Sequence, residues 1–354
     1  MADPGTRRFQ ELDAFRGIAA AWVVLFHFVM RYQHTDMPFV VQERWVHALA
    51  GTVLGWLPDI GTIPVAWFFI ISGFVMTWTL ERARTWRDFA ASRVARLYPV
   101  YWAAIAAIVI EQVWLPLPET GFTLVQCLVN LTMLQEILGV PHVSGVFWSL
   151  TIELVFYIGM AVLLRLGLLG HLHAICAAWV LACIANRLLA FGGIEVPWRV
   201  QKYGLLIYGP FLAAGIMYYH LWKGHRPRTS MALIALCLLS VVLASTPLSA
   251  VVYALIFATM WLAVQGQLRF LTNRPLLWLG SISYALYVAH EGVGFRLMYE
   301  LEVRGAPRPV SITAAILASL LLADLLTRLV DPPARRRLRA WLTPAATPAP
   351  TPGR

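Results

Sequence analysis

Apolar residues run along this chain in long blocks, separated by short polar stretches and without the strict alternation of half-buried strands. The blocks predict ten membrane-spanning helices, at about residues 14–30, 60–80, 97–115, 146–166, 171–190, 203–222, 231–245, 248–264, 276–299 and 310–330. Residues 122–138 are also apolar, but Gln126, Asn130, Gln135 and Glu136 interrupt them. That piece reads as an interfacial or re-entrant helix and not as a span. The expected fold is all-α and polytopic, with one membrane domain over residues 1–339. Residues 340–354 are rich in Pro, Thr and Ala and read as a disordered tail.

Composition agrees with the pattern. The 354 residues are 59% hydrophobic and 13% charged, and a mean hydropathy of +0.68 is too high for an ordinary soluble domain. The net charge of +10 could suggest nucleic acid. Its distribution argues otherwise, because the basic residues sit in short stretches between apolar blocks, as orientation signals do. The expected partner is therefore the lipid bilayer, with no nucleic acid. An inner (plasma) membrane orientation with both termini cytoplasmic puts Arg82, Arg84, Arg87, Arg93, Arg96, Lys223, Arg226 and Arg228 on the inner side, as the positive-inside rule requires. Counting 122–138 as a span would move Lys223–Arg228 outside. Cys127, Cys176, Cys183 and Cys237 lie in apolar stretches with no CxxC pair and read as packing residues. The first segment has no small-residue cleavage site and is expected to stay in place.

Polar groups inside such segments are costly and point to function. Arg16 and His27 share the first predicted helix, eleven positions apart. That is about three turns plus 20°, so both face one side about 16 Å apart along the axis. With this topology His27 lies about 6 Å below the outer end of its helix, Glu153 about 10 Å in, and His290 about 20 Å above its inner end. Three ionisable groups can thus meet at one level. A carboxylate beside an imidazole fixes its tautomer and raises its basicity, as general-base catalysis requires. Glu153 and His290 also have plain structural readings as hydrogen-bond partners between helices, and Glu111 is read that way. Arg93 and Arg96 are neighbours on one helical face at the inner surface, where two guanidiniums suit a phosphate or pyrophosphate, or lipid headgroups. Ser72 and Gly73 read first as close helix packing. There is no GxSxG, P-loop or HExxH motif, and no metal is expected.

Four blocks in order resemble the acyltransferase-3 family of integral membrane acyltransferases, and together they cover most of the chain. LDAFRGIAAAWVVLFH resembles its opening helix with Arg16 and His27. FFIISGF followed by Arg93 and Arg96 resembles its second block. FWSLTIELVFY resembles its third, with Trp148, Ser149 and Glu153, and SYALYVAH its late helix ending in His290. The resemblance implies about ten helices and transfer from cytoplasmic acyl-CoA, commonly acetyl-CoA, to a hydroxyl of a carbohydrate or glycosylated acceptor. On that reading Arg16, Arg93 and Arg96 hold the CoA, His27 is the base with Glu153 or His290 orienting it, and Trp148 and Ser149 belong to the substrate site. Direct transfer and a covalent histidine intermediate both remain open. The alternative is a transporter or flippase of a lipid-linked sugar, or a component of polysaccharide export. The four-block match and the lack of a visible internal repeat weigh against it.

Overall fold

The computed structural model describes residues 9–31, 61–114 and 121–342. Among them every regular element is helical. The helices are α1 Gln10–Val29, α2 Ile63–Leu80, α3 Trp86–Trp114, α4 Leu124–Asn130, α5 Trp148–Arg165, α6 Leu172–Phe191, α7 Trp198–Tyr203, α8 Gly209–Trp222, α9 Pro227–Val242, α10 Pro247–Val264, α11 Arg274–Val303, α12 Arg308–Leu325 and α13 Asp331–Leu342. A π-helical stretch, Leu326–Val330, joins α12 to α13.

Local chemistry fixes several helix starts. Thr123 and Gln126 form a reciprocal capping box at α4. Thr246 caps α10 by accepting from Ser249 N. Asn273 caps α11 by accepting from Leu276 N. Proline follows in the first turn of both α10 and α11, where no amide donor is needed.

Each of the ten predicted segments falls on a helix, but helix length and composition do not establish ten crossings. Among the described residues, seven helical stretches are long and apolar enough to cross a membrane. The 14-residue α8 and the 16-residue α9 are short. The 30-residue α11 carries Glu291, Arg296, Glu300 and Glu302 through its second half. Residues 122–138 form the seven-residue α4 and a series of turns, too short to span.

Two boundaries differ from the sequence expectation. The basic stretch before residue 97 is not all loop, because α3 starts at Trp86 and carries Arg87, Arg93 and Arg96 in its first turns. An apolar window clips such an amphipathic beginning. α3 then continues through Pro99, which removes one helical hydrogen bond without ending the helix. At the other end α13 runs to Leu342, so residues 340–342 are helical. The rest of the expected disordered tail and the polar loop after α1 lie outside the described residues.

The bundle is organised on two glycine contacts. A Cβ on Gly17 of α1 would meet Gly280 N of α11 at 2.7 Å, and one on Gly280 would collide with the Asp13 carbonyl. Likewise a Cβ on Gly73 of α2 would strike the Leu212 carbonyl of α8, and one on Gly215 the Ile70 carbonyl. Small residues let helix backbones approach closely in a membrane, where packing replaces the hydrophobic effect between helices. Gly73 is thus a packing residue, as its sequence context suggests. The α1–α11 contact sets two polar helices side by side, and the site is built on them.

Candidate functional site

α1 places Arg16 and His27 at two different levels of the bundle. At the first level Arg16 lines a cavity together with Arg93 and Arg96 of α3 and Glu153 of α5. Ser72, Ser149, Tyr157, Tyr284 and Tyr287 supply hydroxyls, while Phe68, Ile71, Met76 and Leu150 are among the apolar walls. Three guanidiniums face one carboxylate, which leaves the cavity cationic and suited to an anionic group. Glu153 accepts from Ser72 Oγ at 3.2 Å and from the Tyr157 hydroxyl one turn along the same helix. Arg93 is steered by Ser92 Oγ at 3.2 Å and by contact with Met76 Sδ at 3.8 Å. Arg16 and Arg96 also border a second, smaller space with Asp331 and Thr327.

The second level holds the histidines. His290 Nε2 lies 2.9 Å from His27 Nδ1, with His27 7% and His290 0% exposed. His290 Nδ1 sits 3.0 Å from both the Leu286 and the Tyr287 carbonyl oxygens. Carbonyls only accept, so His290 Nδ1 carries hydrogen and its Nε2, in the neutral ring, is an acceptor. His27 must then donate through Nδ1, which leaves the lone pair of its Nε2 free. The network assigns this tautomer without any further group.

The sequence placed Glu153 at the histidine level as one possible orienting partner of His27. The structure instead puts it in the arginine cavity, and His290 is the side chain that touches His27. Neither histidine lines the cavity. Between the two levels stands Tyr287, its ring 5.6 Å from Phe68 and 6.3 Å from His290. Its hydroxyl lies 2.7 Å from Ser149 Oγ and donates to the Val146 carbonyl at 3.1 Å. Trp148, the next residue back, points elsewhere and packs on Tyr208 at 5.2 Å between centroids.

On the far side of the histidine pair, Glu291 accepts from Ser144 Oγ at 2.6 Å and from Val146 N at 3.1 Å. Its other oxygen is 3.7 Å from Arg31 Nε, just past the end of α1. This carboxylate fastens the start of α5 to α11 beside His290. Sequence reasoning missed Glu291, Tyr157, Tyr284 and Tyr287 and undervalued the lining role of Ser72. Helical spacing held a signal for three of them: Tyr157 follows Glu153 by four, and Tyr284, Tyr287 and His290 recur every three residues along one face. Glu111, read as structural, has one carboxylate oxygen buried without a hydrogen-bond partner, and the neighbouring Arg296 donates to its backbone carbonyl at 2.8 Å. Among the described residues no group of three or more His, Cys, Asp or Glu is arranged to hold a metal ion.

Residues 9–328 match the family model described as an acyltransferase domain. The exopolysaccharide production protein ExoZ of Rhizobium meliloti is 28% identical over 305 residues, covering 79% of this chain and 92% of the relative. Acyltransferase MdmB of Streptomyces mycarofaciens is 27% identical over 169 residues, which is 46% of this chain and 41% of that protein. A putative acetyltransferase of Acidianus two-tailed virus is 23% identical over 65% of this chain and 72% of its own length. No solved structure matches the chain.

Proposed function

This chain belongs to the acyltransferase family whose domain model spans residues 9–328, and from that premise we propose that it moves an acyl group, acetyl in the simplest case, from acyl-CoA to a hydroxyl of a carbohydrate. The observation that carries the proposal is on one helix. α1 delivers Arg16 to a cationic cavity and His27 to a histidine pair, about 16 Å apart along its axis. A donor with an anionic head and a long arm ending in a thioester fits that separation.

Arg93, Arg96 and Arg16 hold the phosphates of CoA by charge-assisted hydrogen bonds. The arm runs toward Tyr287 and brings the thioester carbonyl to the histidine level. His27 Nε2 takes the proton of the acceptor hydroxyl as its oxygen attacks that carbonyl. The new C–O bond replaces the C–S bond, and the CoA thiolate leaves and recovers the proton from His27. Throughout, His27 Nδ1 donates to His290 Nε2, which holds the ring in the required tautomer and stabilises the transient imidazolium. The arginine end faces the cytoplasm of an inner membrane and the histidine end faces outward, in line with the charge bias of the sequence. The carbohydrate acceptor is supported by the name of the exopolysaccharide relative.

The test uses purified full-length protein in detergent with radiolabelled acetyl-CoA and a panel of sugars. Transfer by the wild type and its loss in a folded His27→Ala variant are the expected results. A His27→Ala protein as active as the wild type would overturn the assignment of the base.

A further inference from the structure

Outside the two features already assigned lies a polar and aromatic cluster made by α7, the start of α5 and the turns after α4. Lys202 is only 8% exposed and is ion-paired with Glu136. Its ammonium lies 5.7 Å from the Trp148 ring centroid and 5.1 Å from that of Trp198. Tyr203 packs edge-on to Trp198 at 5.9 Å. The Tyr203 hydroxyl and Glu136 Oε2 are both buried and have no hydrogen-bond partner.

His142 does not relieve Glu136. Its Nδ1 accepts from Gln135 Nε2 at 2.9 Å, and its Nε2 stays 3.7 Å from Glu136 Oε2, beyond hydrogen-bond reach. Burial also holds the His142 imidazole below its ordinary range, which favours the neutral ring. Buried polar atoms left without partners are costly, so these two call for a partner from outside the chain.

The geometry points to a subsite for a neutral glycan at Glu136, Lys202 and Tyr203, with the exposed Trp198 as its apolar wall and Trp148 behind the ammonium. Charge selects the ligand. Glu136 Oε2 can only accept, so the occupant must bring a donor. The ammonium is already committed to the carboxylate. A phosphate or carboxylate would bring no donor and would meet Glu136 with like charge, whereas a sugar hydroxyl both donates and accepts. The exposed indole of Trp198 offers the flat apolar surface that the C–H face of a sugar ring covers.

Two short links connect the subsite to the histidines. Trp148 belongs to the subsite while the adjacent Ser149 touches Tyr287, three residues before His290. His142 precedes by two residues Ser144, which donates to Glu291 next to His290. A chain of sugars seated here would present a hydroxyl near His27. That last step rests on the acyl-transfer reading, while glycan binding itself does not.

The test is binding of the full chain in phospholipid nanodiscs to a printed array of neutral and acidic glycans, for wild type, Tyr203→Phe and Trp198→Ala. Tyr203→Phe removes no hydrogen bond, and Trp198 is 54% exposed, so both variants should fold. The expected result is retention of neutral glycans by wild type and at least a tenfold loss in each variant, with protection from heat by acetyl-CoA unchanged in all three. No retained glycan, preference for acidic glycans, or equal binding by the variants would each overturn the subsite. Loss of acetyl-CoA protection in wild type would count against the acyl-transfer reading alone.

Discussion

Gly280 of α11 lies so close to α1 that a single methyl group on it would collide with the Asp13 carbonyl. This contact sets the register of the two helices, ten residues before His290 on one and three before Arg16 on the other. Gly280→Ala is therefore expected to push α1 and α11 apart and to lower stability by about 1–3 kcal/mol. Thermal unfolding in detergent measures this directly. Activity should fall further than stability explains, because the displacement also separates His27 from His290.

The hydrogen bond between the two histidines gives an ordered pair of outcomes. His27→Ala should reduce kcat by roughly 10²–10⁴-fold, the usual contribution of a positioned base. His290→Ala keeps the proposed base but frees its tautomer, so a smaller loss in kcat with an unchanged donor KM is expected. Steady-state kinetics with labelled acetyl-CoA separates the two. A donor KM that rises in His290→Ala would place this histidine in donor binding instead.

For the arginine cavity the expectation lies in binding and not in chemistry. Removing one charge-assisted contact to phosphate costs about 1.5–3 kcal/mol. Arg93→Ala should accordingly raise the donor KM by roughly 10- to 150-fold and weaken the heat protection that acetyl-CoA gives. Unchanged protection by CoA would remove Arg93 from the donor site.

Tyr287 lines the cavity and also packs 6.3 Å from His290; on the proposed reaction its ring keeps water from the thioester until the acceptor arrives. Tyr287→Ala should increase acetyl-CoA hydrolysis in the absence of any acceptor, whereas Tyr287→Phe, which keeps the ring, should not. Thiol release followed with a colorimetric reagent distinguishes these outcomes. Equal hydrolysis by both variants would mean that the ring is not the barrier.

The amino-acid sequence by itself determined the all-helical membrane class, the positions of the long helices and the pairing of Arg16 with His27 on one face. Those properties follow from hydropathy and from the helical repeat, both of which act within one segment. The arginine pair on α3 was legible for the same reason, although an apolar window hid the first turns of its helix. Only the tertiary structure decided which polar groups from different helices meet. Depth estimates put Glu153, His27 and His290 at one level, but depth alone leaves open the rotation of each helix and the neighbour it faces. The Gly17–Gly280 contact sets α11 beside α1 and delivers His290 to His27. α5 turns Glu153 toward Arg16, Arg93 and Arg96, where its negative charge is compensated. Tyr287 and Glu291 became visible for the same reason: each acts through Ser149, Ser144 or Val146, residues far away in sequence that packing alone brings within hydrogen-bond reach.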